Sequence, residues 1–244
     1  MAKQLQRYGL FALGLAINAF GIAFVTKSAL GTSQISSVPY VFSLAFPQFS
    51  FGACTFLVNA LFLLGQILLL RRKFPPIQFL QLAVTFFFSI FIDLSMAGLF
   101  WLSPESLWLR VCCLLAGCLI IAVGLSIELA PQVLLLPGDG LVRVLARKAG
   151  HTFGTVKMLF DITLIIIASV CSFFFFHTLR GVGAGTIVSA LIVGRMIDFF
   201  NRTALLRKLQ RLGSSAADPF PDNDQQPETT ADQTTDPDVV SKAN

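Results

Sequence analysis

Four polar side chains lie where apolar sequence surrounds them: Asn59, Asp93, Asp161 and Asp198. A carboxylate inside a lipid-facing run of Leu, Ile and Phe is costly unless it meets a cation, water or a transported solute. This set is therefore the expected substrate-binding group of a path through a membrane. Lys157 precedes Asp161 by four residues and Arg195 precedes Asp198 by three, so each pair shares a helix face. Mutual neutralisation or snorkelling explains both pairs as well as a solute or proton role does. Asp93 has no cation so placed. Asn59 holds the place in the first half of the chain that Asp161 holds in the second. A polar pair of that kind either holds a solute near mid-membrane or fixes packing by interhelical hydrogen bonds.

Enzyme chemistry has no comparable signature. The two histidines, His151 and His177, fall on opposite membrane faces in the topology derived below, which excludes a His-based zinc site or triad. Cys54, Cys112, Cys113, Cys118 and Cys171 sit in apolar runs without metal-ligand spacing and read as small packing residues. Gly138-Asp139-Gly140 lacks the lysine-serine of a phosphate loop and forms no dinucleotide fingerprint, so it reads as a helix-breaking turn. No enzyme, metal or cofactor is expected.

The elements that position these residues follow from hydropathy. With 55% hydrophobic and 13% charged residues, the chain has about half the charge of an ordinary globular domain. Six stretches approach the ~20 apolar residues that a membrane helix needs: 8–25, 51–70, 77–102, 107–127, 153–176 and 181–200. Only the last three carry basic residues, Arg110, Lys157 and Arg195, and the last is the least apolar. The first follows Lys3 and Arg7 like a secretory signal, but no small-x-small cleavage site follows it, so it reads as a retained helix.

Basic residues fix the orientation. Lys3, Arg7, Arg71, Arg72, Lys73, Arg143, Arg147, Lys148, Arg202, Arg207, Lys208 and Arg211 fall on one side, and only Lys27, Arg110 and Arg180 on the other. Twelve against three places both termini in the cytoplasm. Topology thus accounts for the basic body, and no nucleic-acid partner is expected. Trp101 and Trp108 flank the turn between the third and fourth spans, where an outer aromatic belt belongs. The membrane domain is taken as residues 1–212. Residues 213–244 hold seven of the thirteen acids in a polar, proline-bearing stretch, expected to be a disordered cytoplasmic tail.

An internal repeat underlies the spans. Gly14 and Gly21 recur as Gly117 and Gly124, Phe51-Gly52…Asn59 recurs as Phe153-Gly154…Asp161, and Asp93 recurs as Asp198. Repeats at about 8–102 and 107–200, each with three spans, must enter the membrane from opposite sides. Between the first and second span of each lies an apolar segment too short to cross, around residues 33–46 and 138–148. A broken or re-entrant helix lining a cavity is one solution, and an amphipathic helix on the surface is the other. Letting both segments cross would give eight spans, put Arg71, Arg72 and Lys73 outside and weaken the charge asymmetry, so that arrangement is rejected.

These residues resemble the YczE/YyaS/YitT group of bacterial membrane proteins: Gly31-Thr-Ser, Phe51-Gly52…Asn59, Gly138-Asp-Gly, Thr152-Phe-Gly154, and Gly185-Thr-Ile…Gly194-Arg-Met-Ile-Asp198. The resemblance covers about residues 8–200 and favours the shorter, YczE-like branch, which lacks a soluble C-terminal domain. It implies a bacterial inner-membrane location and supplies no substrate. The expectation is an all-α membrane protein of six transmembrane helices in two inverted three-helix repeats, acting as a small-solute or ion transporter. The alternative is a non-transporting scaffold or regulatory subunit. Expected partners are the lipid bilayer, a small polar solute or ion, and a second copy of the chain.

Overall fold

The computed structural model describes residues 2–131 and 133–201; the expected tail at 213–244 lies outside the described residues. The described residues form eight α-helices in order: α1 (Ala2–Lys27), α2 (Gln34–Ala45), α3 (Phe51–Leu70), α4 (Leu80–Gly98), α5 (Leu107–Leu129), α6 (Pro137–Ala149), α7 (Phe153–Phe176) and α8 (Ala184–Asn201). Among the described residues, five segments are long and apolar enough to cross a membrane: Gln6–Lys27, Phe51–Leu70, Pro76–Gly98, Leu107–Leu129 and Phe153–Phe176. Their outward side chains, among them Leu61, Leu68, Leu94, Val170 and Phe174, are more than 60% exposed, a surface suited to lipid and not to water. The chain is a multi-pass membrane protein. The sixth expected span appears as α8, whose apolar part, Ala184–Ile197, is shorter than the other five. Gly181, at φ 78°, ends the preceding turn and delays the helix, while Arg195 and Asp198 shorten its apolar run.

Local chemistry sets the helix ends. Ser50 caps α3 by accepting from the Ala53 N–H at 3.0 Å, and Ser106 caps α5 by accepting from Leu109 at 3.3 Å. Pro137 starts α6, and Gly150 ends it in the left-handed region. Trp101 and Trp108 are largely exposed at the α4–α5 turn, as an interfacial belt requires.

The central contact joins α1 to α5. A Cβ on Gly14 would strike Glu128, one on Gly21 would strike Ile121, one on Gly117 would strike Val25, and one on Gly124 would strike Asn18. Facing residues advance along one helix as they retreat along the other, so the two helices are antiparallel. The glycines let the backbones touch, which dispersion between helices in lipid rewards. Leu15, Ala19 and Ile22 of α1 meet Leu114, Cys118 and Ile121 of α5 in the buried core.

The remaining packing is paired. α4 lies on α1 as α8 lies on α5; α2 lies on α7 as α6 lies on α3; and each short helix also packs on the long helix that follows it. Consequently α2, α3, α6 and α7 form a ring of alternating short and long helices.

Candidate functional site

The short helices are buried parts of the ring. The connection into α2 turns through Ala29, at φ 58°, and Gly31, at φ 137°, a conformation open to glycine and awkward for other residues. Ser28, Thr32 and Ser33 in this connection are buried, which is unusual for a loop. It is fastened to the start of α8: Gly185 N–H donates to the Leu30 carbonyl at 2.9 Å, and Thr32 N–H to Thr186 Oγ1 at 3.2 Å. The connection into α6 is fastened correspondingly to α3 and α4. Gln66 Nε2 donates to the Pro137 carbonyl at 2.9 Å and to Gln81 Oε1 at 3.2 Å. Gln66 and Gln81 are buried, and Gln66 Oε1 has no hydrogen-bond partner among the described residues.

These fastenings bring the two helix starts together. Gly138, in the first turn of α6, lies against the Ile35 side chain, in the first turn of α2, with no room for a Cβ. Phe62 of α3 also borders Gly138 and meets the ring of Phe160 from α7, with centroids 5.4 Å apart. Both helix dipoles thus present their positive ends to one central region.

A charged triad stands beside it. Lys157 Nζ is 3.1 Å from Asp139 Oδ1 and 2.9 Å from Asp161 Oδ1, linking the start of α6 to α7. The side chains are 20% exposed at Asp139, 29% at Lys157 and 22% at Asp161, so none of the three is fully buried. With the lysine charged, the triad carries one net negative charge. Asn59 on α3 is buried and donates through Nδ2 to the Thr55 carbonyl at 2.9 Å, within its own helix.

The other expected residues are placed differently. Asp93 on α4 accepts from the Gly52 N–H at 2.7 Å and from Ser50 Oγ at 2.6 Å, so both of its oxygens serve the first turn of α3. The side chain of Asp198 lies outside the described residues. Asp161 is therefore drawn into a cluster with Asp139 and Lys157, Asn59 lies on the facing long helix, and Asp93 belongs to a helix cap.

Sequence reasoning passed over Glu128. It stopped the fourth span at Ile127, whereas α5 continues to Leu129 and buries Glu128 to 2% exposure against Asn18, whose Nδ2 donates to Oε2 at 2.9 Å. Asp139 was visible as an acid in an apolar segment, but only the fold brings it to Lys157. Among the described residues, no group of three or more His, Cys, Asp or Glu is placed to hold a metal ion.

No curated protein and no solved structure matches this chain. A family model does, over residues 5–202, which include all the helices from α2 to α8 and most of α1. The chain belongs to the family of unknown function DUF6198.

Proposed function

We propose that the protein moves a small polar solute or ion across a bacterial inner membrane, with both termini in the cytoplasm. The observation that carries this reading is the meeting of α2 and α6 by their N-termini beside Asp139, Lys157 and Asp161. Irregular backbone at membrane depth is tolerated where it lines a cavity, and discontinuous helices whose ends point at a site are the usual means by which transporters hold ions and polar groups.

The paired packing supports two inverted repeats, α1–α4 and α5–α8. In this reading α1, α3, α4, α5, α7 and α8 cross the membrane, while α2 and α6 are re-entrant half-helices. The antiparallel α1–α5 crossing is the pseudo-two-fold axis: the contact of Gly14 with Glu128 becomes that of Gly117 with Val25 when each residue is replaced by its repeat equivalent. Solute enters between α3 and α7, where carboxylates accept from donor groups and the helix starts attract acceptors. Rocking of one repeat on the other about α1 and α5 opens the site to alternate sides. A distant kinship with the YczE/YyaS/YitT group belongs to the same reading and rests on the shared glycine-led segments.

The test is flux into vesicles containing the purified protein, across a panel of small ions, amino acids and other polar solutes. Wild-type protein should carry at least one of them, and Asp161→Asn should abolish that flux while keeping the folded elution profile. A second arm uses a cysteine-free background carrying the single change Ser36→Cys or Asp139→Cys. Water-borne, membrane-impermeant thiol reagents should modify Ser36→Cys and Asp139→Cys. Protection of both positions from either side, with no flux for any solute, would defeat the proposal.

A further inference from the structure

We infer that Glu128 is a proton-binding site inside the α1–α5 crossing, and that binding and release of this proton govern how closely the two halves pack. The protonation part stands on the crossing alone; the coupling part rests on the transport reading.

Glu128 is in the last turn of α5, and its contact with Gly14 places it beside the middle of α1. It lies against the Gly14 backbone and the Asn18 amide. None of the described cations forms an ion pair with it, and Asn18 supplies its side-chain hydrogen bond. The charged groups on the packed elements do not compensate it. Arg7 on α1 directs its guanidinium to the Pro131 carbonyl at 2.8 Å. Asp139 on α6 is paired with Lys157 at 3.1 Å. The only ionisable acid on α4, Asp93, is engaged at the start of α3. On α8, Arg195 is exposed, and the Asp198 side chain lies outside the described residues.

A carboxylate held against glycine backbone and one neutral amide is strongly disfavoured; the acid with its proton is the form such an interface can hold. Asn18 can donate to its carbonyl oxygen in that form. Release breaks the carboxyl O–H bond, leaves the electron pair and one negative charge on Glu128, and passes the proton to water. The charged form then requires hydration, which the close contact at Gly14 denies, so α1 and α5 must part for the proton to leave. Because α1 belongs to the first half and α5 to the second, protonation acts on the joint between them.

The experiment is infrared spectroscopy of the full-length protein in lipid bilayers, across pH and in both H2O and D2O. The expected result is a protonated-carboxyl C=O stretch that shifts in D2O, disappears as pH rises, and is missing in Glu128→Gln. Glu128→Asp should retain a carboxyl band at a displaced position. A spectrum with no Glu128-dependent carboxyl band, or a band that never titrates, would overturn the proton site. In vesicles that show flux, Glu128→Gln should lose its dependence on a pH gradient; unchanged dependence would overturn the coupling. A titrating band without flux of any solute would overturn the transport reading and leave the proton site standing.

Discussion

Asp93 offers the sharpest separation of a structural role from a solute role. Its two oxygens accept from Gly52 N–H at 2.7 Å and Ser50 Oγ at 2.6 Å, while Ser50 itself accepts from Ala53 N–H at 3.0 Å. Hydrogen bonds to a charged acceptor contribute about 1.5–3 kcal/mol each. Asp93→Asn keeps one acceptor and loses the charge at a helix N-terminus, for a cost of about 2 kcal/mol; Asp93→Ala loses both acceptors, for about 3 kcal/mol or more. At roughly 2–4 °C per kcal/mol for a chain of this size, Asp93→Asn should melt about 4–8 °C lower. Ser50→Ala alone should cost about 1 kcal/mol as a lost cap. The double variant should cost less than the two separately, because both remove the same linked bonds. The assay is a thermal melt of detergent-purified protein followed by size-exclusion elution, with solute flux measured on the survivors at a permissive temperature. Asp93→Asn that melts with the wild type yet carries no solute would refute the capping argument and return Asp93 to the path.

Other consequences can be checked with the same melts. Lys157→Met removes the cation that Asp139 and Asp161 share and should cost about 1–3 kcal/mol, allowing for partial solvent access; adding Asp139→Asn and Asp161→Asn should restore most of it, and no recovery would show that the lysine acts elsewhere. Gly124→Leu places a side chain against the backbone of Ile17 and Asn18 and should cost about 3 kcal/mol or prevent folding. Wild-type stability of that variant would mean the α1–α5 contact is not close. Gln66→Leu leaves the Pro137 carbonyl without its 2.9 Å donor and should cost about 1–3 kcal/mol, read as a lower melting point; an unchanged melt would show that the start of α6 is held by other contacts.

The spans were legible because hydropathy is local: Phe51–Leu70 and Phe153–Phe176 begin and end at the residues expected from the apolar runs. The small residues singled out by their spacing, Gly14, Gly21, Gly117 and Gly124, all face the α1–α5 contact. What sequence could not supply was the partner of each polar group. Asp93 has no cation on its own helix, and nothing local reveals that α3 begins opposite it. Lys157 and Asp161 declared themselves by spacing, yet Asp139 joins them only because α6 packs on α7. Glu128 was missed for a simpler reason: the apolar run of the fourth span was taken to end at Ile127, and the helix continues to Leu129. The shortened α8 shows the converse, since a stretch of apolar composition contains glycines that keep its first residues out of the helix.

The antiparallel crossing of α1 and α5 also constrains how the chain is made. Roughly a hundred residues of synthesis separate Gly14 and Gly21 of α1 from the backbone they will touch, so the first helix enters the bilayer long before its mate exists. Until then its narrow glycine face and Asn18 have only lipid or insertion machinery for company. Biogenesis must therefore keep that helix waiting, and a ribosome stalled before α5 would release a fragment without its principal internal contact.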